Sequence, residues 1–201
     1  GPVKFKPEVN FSTDSVGLVH GLAWTSAGGE VLDVECSVVP GSGKLELTGN
    51  LGDVMKESCQ AAVTYIRSRT SELGIDPAFH KNTDIHLHFP EGAVPKDGPS
   101  AGAAICLCVV SALTNRPVRA DIAMTGEITL RGRVLPIGGI QEKTMAALRA
   151  GIHEVLLPED NVSDLAEMDP NVRNAVNFTA VSHMDQVLKK ALRPAGEKVA
   201  E

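Results

Sequence analysis

Apolar residues along this chain recur at two spacings, and each change of spacing marks an element. Val16 to Thr25 and Glu30 to Val39 are rich in β-branched residues on either side of Gly28-Gly29, which predicts a hairpin. Lys44 to Thr48 alternates polar and apolar before Gly49 and completes an N-terminal β-meander. From Leu51 the pattern lengthens. Leu51, Val54, Met55, Cys59, Ala62 and Ile66 fall three or four apart, so a long helix with one buried face runs to about Leu73, where Gly74 and Pro77 stop it. Asp84 to Phe89 predicts a strand, and Pro90 to Pro99, with two glycines and three prolines, a loop. Ser100 to Leu113 is apolar on nearly every side and predicts a helix inside the core.

The second half alternates strand and helix. Strands are expected over Arg119 to Met124 and Ile128 to Leu135, split by Thr125-Gly126, and a helix over Ile140 to Ala150 follows Gly138-Gly139. A strand at Glu154 to Leu157, a helix near Val162 to Met168, a strand at Phe178 to Val181 and a helix from Met184 to Leu192 complete the series. The predicted class is therefore α/β (α+β), with the meander and the long helix leading into an alternating half that builds a sheet. One domain is expected over residues 14–194, with a frayed tail at 195–201. Residues 1–13 read as a linker behind a scar of tag cleavage, because the chain opens Gly1-Pro2 without an initiator methionine.

Composition narrows the class. A hydrophobic share of 43% with 22% charged residues is that of an ordinary globular protein, and no apolar run reaches the roughly 18 residues of a membrane span. The formal charge of −6 and the scattered lysines and arginines argue against nucleic acid as a partner. Cys36, Cys59, Cys106 and Cys108 lack CxxC spacing and read as buried thiols of a reducing compartment.

Two residues carry candidate chemistry. Pro99 suits a first helical position, which would put Ser100 in the first turn, where free backbone N–H groups and the helix dipole can stabilise an oxyanion. The plain alternative is a serine that caps the helix. Lys143 shares its side of the predicted helix with Ala146, Ala147 and Ala150, whereas Gln141, Glu142 and Arg149 lie opposite, so its amine faces protein. To act as a neutral base it must titrate near 7 instead of about 10.4, at roughly 4 kcal/mol. The plain alternative here is a snorkelling lysine. His86 and His88 share a strand face but lack a third ligand at a fitting spacing, so no metal is expected. Gly41-Ser42-Gly43-Lys44 fails as a phosphate loop, because the motif would need glycine at Val38 and a hydroxyl at Leu45.

Three segments bring a family into view. Pro95 to Gly102 reads PKDGPSAG, Met124 to Arg131 reads MTGEITLR and Val134 to Lys143 reads VLPIGGIQEK. With Gly21 to Thr25, Leu51 to Ser58 and His86 to Gly92, they resemble the proteolytic domain of bacterial-type Lon proteases from about Gly17 to Arg193. The resemblance implies a serine endopeptidase with Ser100 as nucleophile, Lys143 as its base and Thr125 as a hydroxyl that holds the Lys143 amine. Backbone N–H groups of Lys96, Asp97, Gly98 and Ser100 would bind the oxyanion and pair with an extended substrate. Gln141 departs from the lysine usual in GGIKEK, on the side of the helix away from the pair.

The resemblance further implies unfolded or misfolded proteins as substrates, a homo-hexamer, and ATP with magnesium held by an N-terminal AAA+ module that is not in this sequence. This chain itself would need no cofactor and no membrane. Location would be the bacterial cytoplasm, with the mitochondrial matrix second. The competing classes are a Lon-like scaffold of the kind found in a DNA-repair protein, and another Ser-Lys amidase or self-cleaving repressor.

Overall fold

The structure, a computed structural model, describes residues 13–25 and 28–195. The linker expected at the start and most of the expected tail fall outside them. β1 (Leu18–Thr25) and β2 (Gly28–Pro40) pair antiparallel, Gly28 against Thr25 and Gly29 against Trp24. Gly28 and Gly29 thus already belong to β2, and residues 26–27 lie outside the described residues. β3 (Leu45–Thr48) does not extend this hairpin into a meander. It pairs parallel with β4 (Thr83–His88), and β4 runs antiparallel beside β2, between it and β3. Parallel pairing needs a long crossover, which the helical stretch between β3 and β4 provides. The register puts Leu45 beside Ile85 and Leu47 beside Leu87, all turned to the core.

The helical stretch is α1 (Asp53–Ser68), then a break at Arg69, then the single turn α2 (Thr70–Leu73) closed by Gly74 at φ 71°. α3 (Phe79–Asn82) leads into β4. α4 (Gly102–Thr114) is buried throughout its first ten residues. Such burial requires cover on every side, and a Cβ on Gly21 of β1 would already lie 3.2 Å from the Ala104 methyl.

β5 (Ile122–Met124), β8 (Glu154–Pro158) and β9 (Asn177–Val181) add parallel strands beyond β1, giving the order β3-β4-β2-β1-β5-β8-β9. The strand expected over Ile128 to Leu135 is instead a separate small hairpin of β6 (Glu127–Ile128) and β7 (Val134–Leu135). The chain reverses at Gly132, whose amide donates to Thr129 O and whose φ is 82°. α5 (Ile140–Arg149) is followed by a 3-10 segment, Glu159–Glu167, in place of the α-helix expected near Val162. α6 (Pro170–Asn174), capped by Asp169, was not foreseen, and α7 (Met184–Ala191) closes the domain.

The fold is α/β, and strand alternation assigns its two faces. Val19, Ala23, Ile122 and Met124 pack with α1, α4 and α7, whereas Leu22, Ala123 and Val155 pack with Ala147 of α5. No helix among the described residues is long and apolar enough to cross a membrane.

Candidate active site

Ser100 stands two residues ahead of the first helical residue of α4, not within its first turn. A tight turn precedes the helix: the Gly102 amide donates to Pro99 O at 3.2 Å, and Ala101 occupies the cap position without any side-chain cap. Ser100 therefore does not serve as the cap of α4. Its carbonyl oxygen is fixed by the Gly126 amide at 2.8 Å and by the Thr125 hydroxyl at 3.3 Å. Ala103 N–H returns a bond to Gly126 O at 3.0 Å. A Cβ on Gly102 would lie 3.0 Å from the Ile128 amide nitrogen, so a bare backbone is needed where α4 meets the β5–β6 connection. Ser100 itself is half-buried.

The upstream side of the loop is held by two charged residues. Lys96 is buried, and its ammonium donates to the carbonyls of Gly49, Glu91 and Val94 at 2.7, 2.8 and 2.9 Å. Burial pushes its pKa below the ordinary lysine value. Asp97 Oδ1 accepts from Met55 N–H at 3.0 Å and from Gly98 N–H at 2.8 Å, so this carboxylate caps α1 and not α4. Those backbone bonds hold it below the usual carboxylate range. Of the four amides expected around an oxyanion, Lys96 N–H is committed to Asn50 O and Gly98 N–H to Asp97. The Ser100 amide makes no hydrogen bond within the described residues.

Lys143 enters from the opposite face of the sheet. Gly139 at φ 73° turns the chain into α5, and Lys143 N–H closes the first helical bond onto Gly139 O at 3.0 Å. Its side chain is 1% exposed, on the buried side with Ala146 and Ala147. Burial lowers its pKa from 10.5 to about 8, with no neighbouring carboxylate acting to raise it again. Lys96 is also buried, but its proton donors are all accepted by carbonyls, whereas the Lys143 amine makes no hydrogen bond within the described residues.

The sheet register puts both residues toward the same end of the sheet. A Cβ on Gly29 would come 3.2 Å from the Lys143 backbone nitrogen, and Gly29 faces Trp24, three residues past the Gly21–Met124 pair. Lys143 thus packs where Trp24 and Gly29 end the β1–β2 pairing, at the end of the sheet toward which Thr125-Gly126, which anchor Ser100, leave β5. Thr125 is 1% exposed, and the hydrogen bond its hydroxyl makes is to Ser100 O, not to the Lys143 amine. A cavity of about 350 Å³ adjoins the loop, with Trp24, Leu51 and Pro95 among its apolar walls.

Against known proteins, the sequence profile of the Lon protease (S16) C-terminal proteolytic domain matches residues 1–194. The chain belongs to the Lon protease family. It is 60% identical to the Lon protease of Brevibacillus choshinensis over 92% of this chain and 24% of the relative. The Lon protease of Heliobacterium modesticaldum is 57% identical over 96% of this chain and 24% of its own length. That of Clostridioides difficile is 55% identical over 98% and 25%. This chain spans about a quarter of the curated relatives it matches.

Other polar groups of this Lon domain have internal uses. His86 and His88 both reach Thr48 Oγ1, at 2.8 and 2.7 Å, and no group of three metal-binding side chains occurs among the described residues. The amides of Ser42, Gly43 and Lys44 converge on Asp84 Oδ1 at 2.8 to 3.0 Å, so the glycine-rich turn holds the protein's own carboxylate. Gln141 Oε1 accepts from Asp169 N–H at 2.9 Å, on the outer side of α5. Residue order did not reveal that Asp97 serves α1. The one available signal is Gly52, a cap position without a capping side chain ahead of a helix.

Proposed function

We propose that this chain is a serine endopeptidase in which Ser100 Oγ attacks a peptide carbonyl and the neutral Lys143 amine is its base. The observation that supports this most is Lys143 itself: a residue 1% exposed whose amine has no countercharge and is held to a pKa of about 8 by burial. Burial at that penalty favours function over snorkelling. A second support is that both residues lie toward the same end of the sheet.

In the proposed cycle Lys143 Nζ takes the hydroxyl proton as Oγ bonds to the carbonyl carbon. The C–N bond then breaks, and the ammonium returns the proton to the leaving amine. Lys143 next deprotonates a water that hydrolyses the Ser100 ester and restores both groups. The Ser100 amide, at the turn into α4, is the leading candidate donor to the oxyanion. Thr125 acts through the Ser100 backbone.

For the whole protein we propose unfolded or misfolded protein substrates, a homo-hexamer in the bacterial cytoplasm, and ATP with magnesium used by an N-terminal module. The glycine-rich turn at Gly41 to Lys44 is filled by Asp84, so we propose no nucleotide there. No step above passes through one.

The test is phosphonylation of the 201-residue chain by a fluorophosphonate, with fluoride as leaving group, together with hydrolysis of a small peptide. Ser100→Ala, Lys143→Ala and Lys143→Arg should each lose both while keeping the circular dichroism of the parent. The arginine variant is included because a guanidinium does not deprotonate near neutral pH. Parental labelling in Ser100→Ala, or activity in Lys143→Arg, would reject the reading.

A further inference from the structure

α1 starts at Asp53 without a cap of its own, since Gly52 has no side chain to offer. Asp97 supplies the cap from another part of the chain. Its Oδ1 accepts from Met55 N–H, the Val54 amide is also directed at the carboxylate, and Oδ1 accepts from Gly98 N–H as well. Gly52 is what makes room: a Cβ there would lie 2.1 Å from Asp97 Oδ2 and 2.7 Å from Oδ1. With φ −77° and ψ 172°, Gly52 has extended backbone open to any residue, so the glycine is needed for space and not for conformation. The backbones are joined beside the cap, Gly52 N–H to Lys96 O at 2.8 Å and Lys96 N–H to Asn50 O at 3.0 Å.

The order of these contacts along the loop matters. Lys96 and Asp97 are fixed to the body of the protein, and Ser100 is fixed again through its carbonyl at Gly126. Between them lie only Gly98, at φ 95° with nothing within 4 Å of a Cβ built on it, and the stiff Pro99. Asp97 is therefore the last fixed point before the hinge that carries the candidate nucleophile.

We propose that Asp97 is a positioning residue, whose carboxylate caps α1 from the loop and so sets the approach of Ser100 to its base. The proposal rests on the reading of Ser100 as nucleophile. Misplacing a reacting atom by about 1 Å can cost roughly 100-fold in rate. Loss of the tether should consequently appear in kcat more than in KM.

A double substitution separates positioning from plain stability. Asp97→Ala should lower the melting temperature and reduce kcat for a small peptide roughly 10- to 100-fold. Adding Gly52→Asp, in the space vacated by Asp97, should give α1 a local cap and restore the melting temperature without restoring kcat. Asp97→Asn, whose amide oxygen still accepts, should keep most of the parental kcat. Amide hydrogen exchange at Gly102 and Gly126, which donate to Pro99 O and Ser100 O, should be faster than in the parent in Asp97→Ala and in the double variant, while α1 in the double variant regains its protection. Recovery of kcat together with the melting temperature would overturn the proposal, as would parental exchange at Gly102 and Gly126 in Asp97→Ala. Failure of the serine reading looks different: fluorophosphonate labelling would persist in Ser100→Ala, and the exchange data would still decide the tether.

Discussion

The Gly126 amide donates to the carbonyl oxygen of Ser100 at 2.8 Å, and this bond ties the start of α4 to the residue pair that leaves β5. Gly126 adopts φ 155°, and a Cβ on it would lie 2.5 Å from Val134 Cγ1. The anchor is thus built where only glycine fits. Because Lys143 lies toward the same end of the sheet on the other face, the position of Ser100 relative to its proposed base depends on the geometry of two residues, Thr125 and Gly126.

Thr125→Val removes a buried hydroxyl that donates to Ser100 O but leaves the Gly126 bond in place. Stability should fall by about 1 kcal/mol in urea unfolding, with kcat lowered more than KM. Thr125→Ser should recover both. The pH midpoint of the reaction should stay near that of the parent, since the bond reaches the serine backbone. A shifted midpoint would instead place the hydroxyl on the Lys143 amine.

Lys143→Met tests the burial of the amine through stability. A folded pKa of about 8 against 10.5 means that the unfolded chain binds more protons between those values, so stability rises with pH across that window. The penalty is present in full below pH 8 and amounts to ~3 kcal/mol. Methionine should therefore stabilise the domain at pH 7, and its advantage should shrink as the pH approaches 10.5. Urea unfolding at several pH values measures this, and a constant gap would contradict it.

The cysteines should be silent in the native state. Burial pushes the thiols of Cys36, Cys59 and Cys106 up to about 12 and that of Cys108 well above its ordinary value, and the thiolate is the reactive form. Iodoacetamide at pH 8 should leave the folded chain unmodified and alkylate four residues after denaturation, as read by mass spectrometry. Rapid modification of any one in the folded chain would be the contrary result.

Sequence patterns were legible where one period ruled. The apolar face of α1, the buried α4 and the inward side of α5 follow from spacing alone, because burial on one face repeats with the helical turn. Pairing was harder to read. Leu45 and Leu47 have a strand pattern, but nothing in them says that β4, with Ile85 and Leu87, is their neighbour in place of β2. The turn at Gly132 likewise interrupts a run that reads as one strand, because Tyr65, distant in sequence, fills the space a side chain there would need. At the candidate site, the burial of Lys143 was legible from its helix face, whereas the uses of Lys96 and Asp97 were not. Both act on backbone groups of the Gly49 to Met55 stretch, which only the folded chain brings beside them.

The most direct measurement of the central claim is the rate of Ser100 phosphonylation by a fluorophosphonate as a function of pH. At pH 7 roughly one Lys143 amine in ten is neutral, so the rate should climb through a midpoint near 8 and level off above it. In Lys143→Ala that sigmoid should vanish. A rate independent of pH from 6 to 10 in the parent chain, or a midpoint near 8 that survives in Lys143→Ala, would contradict the account.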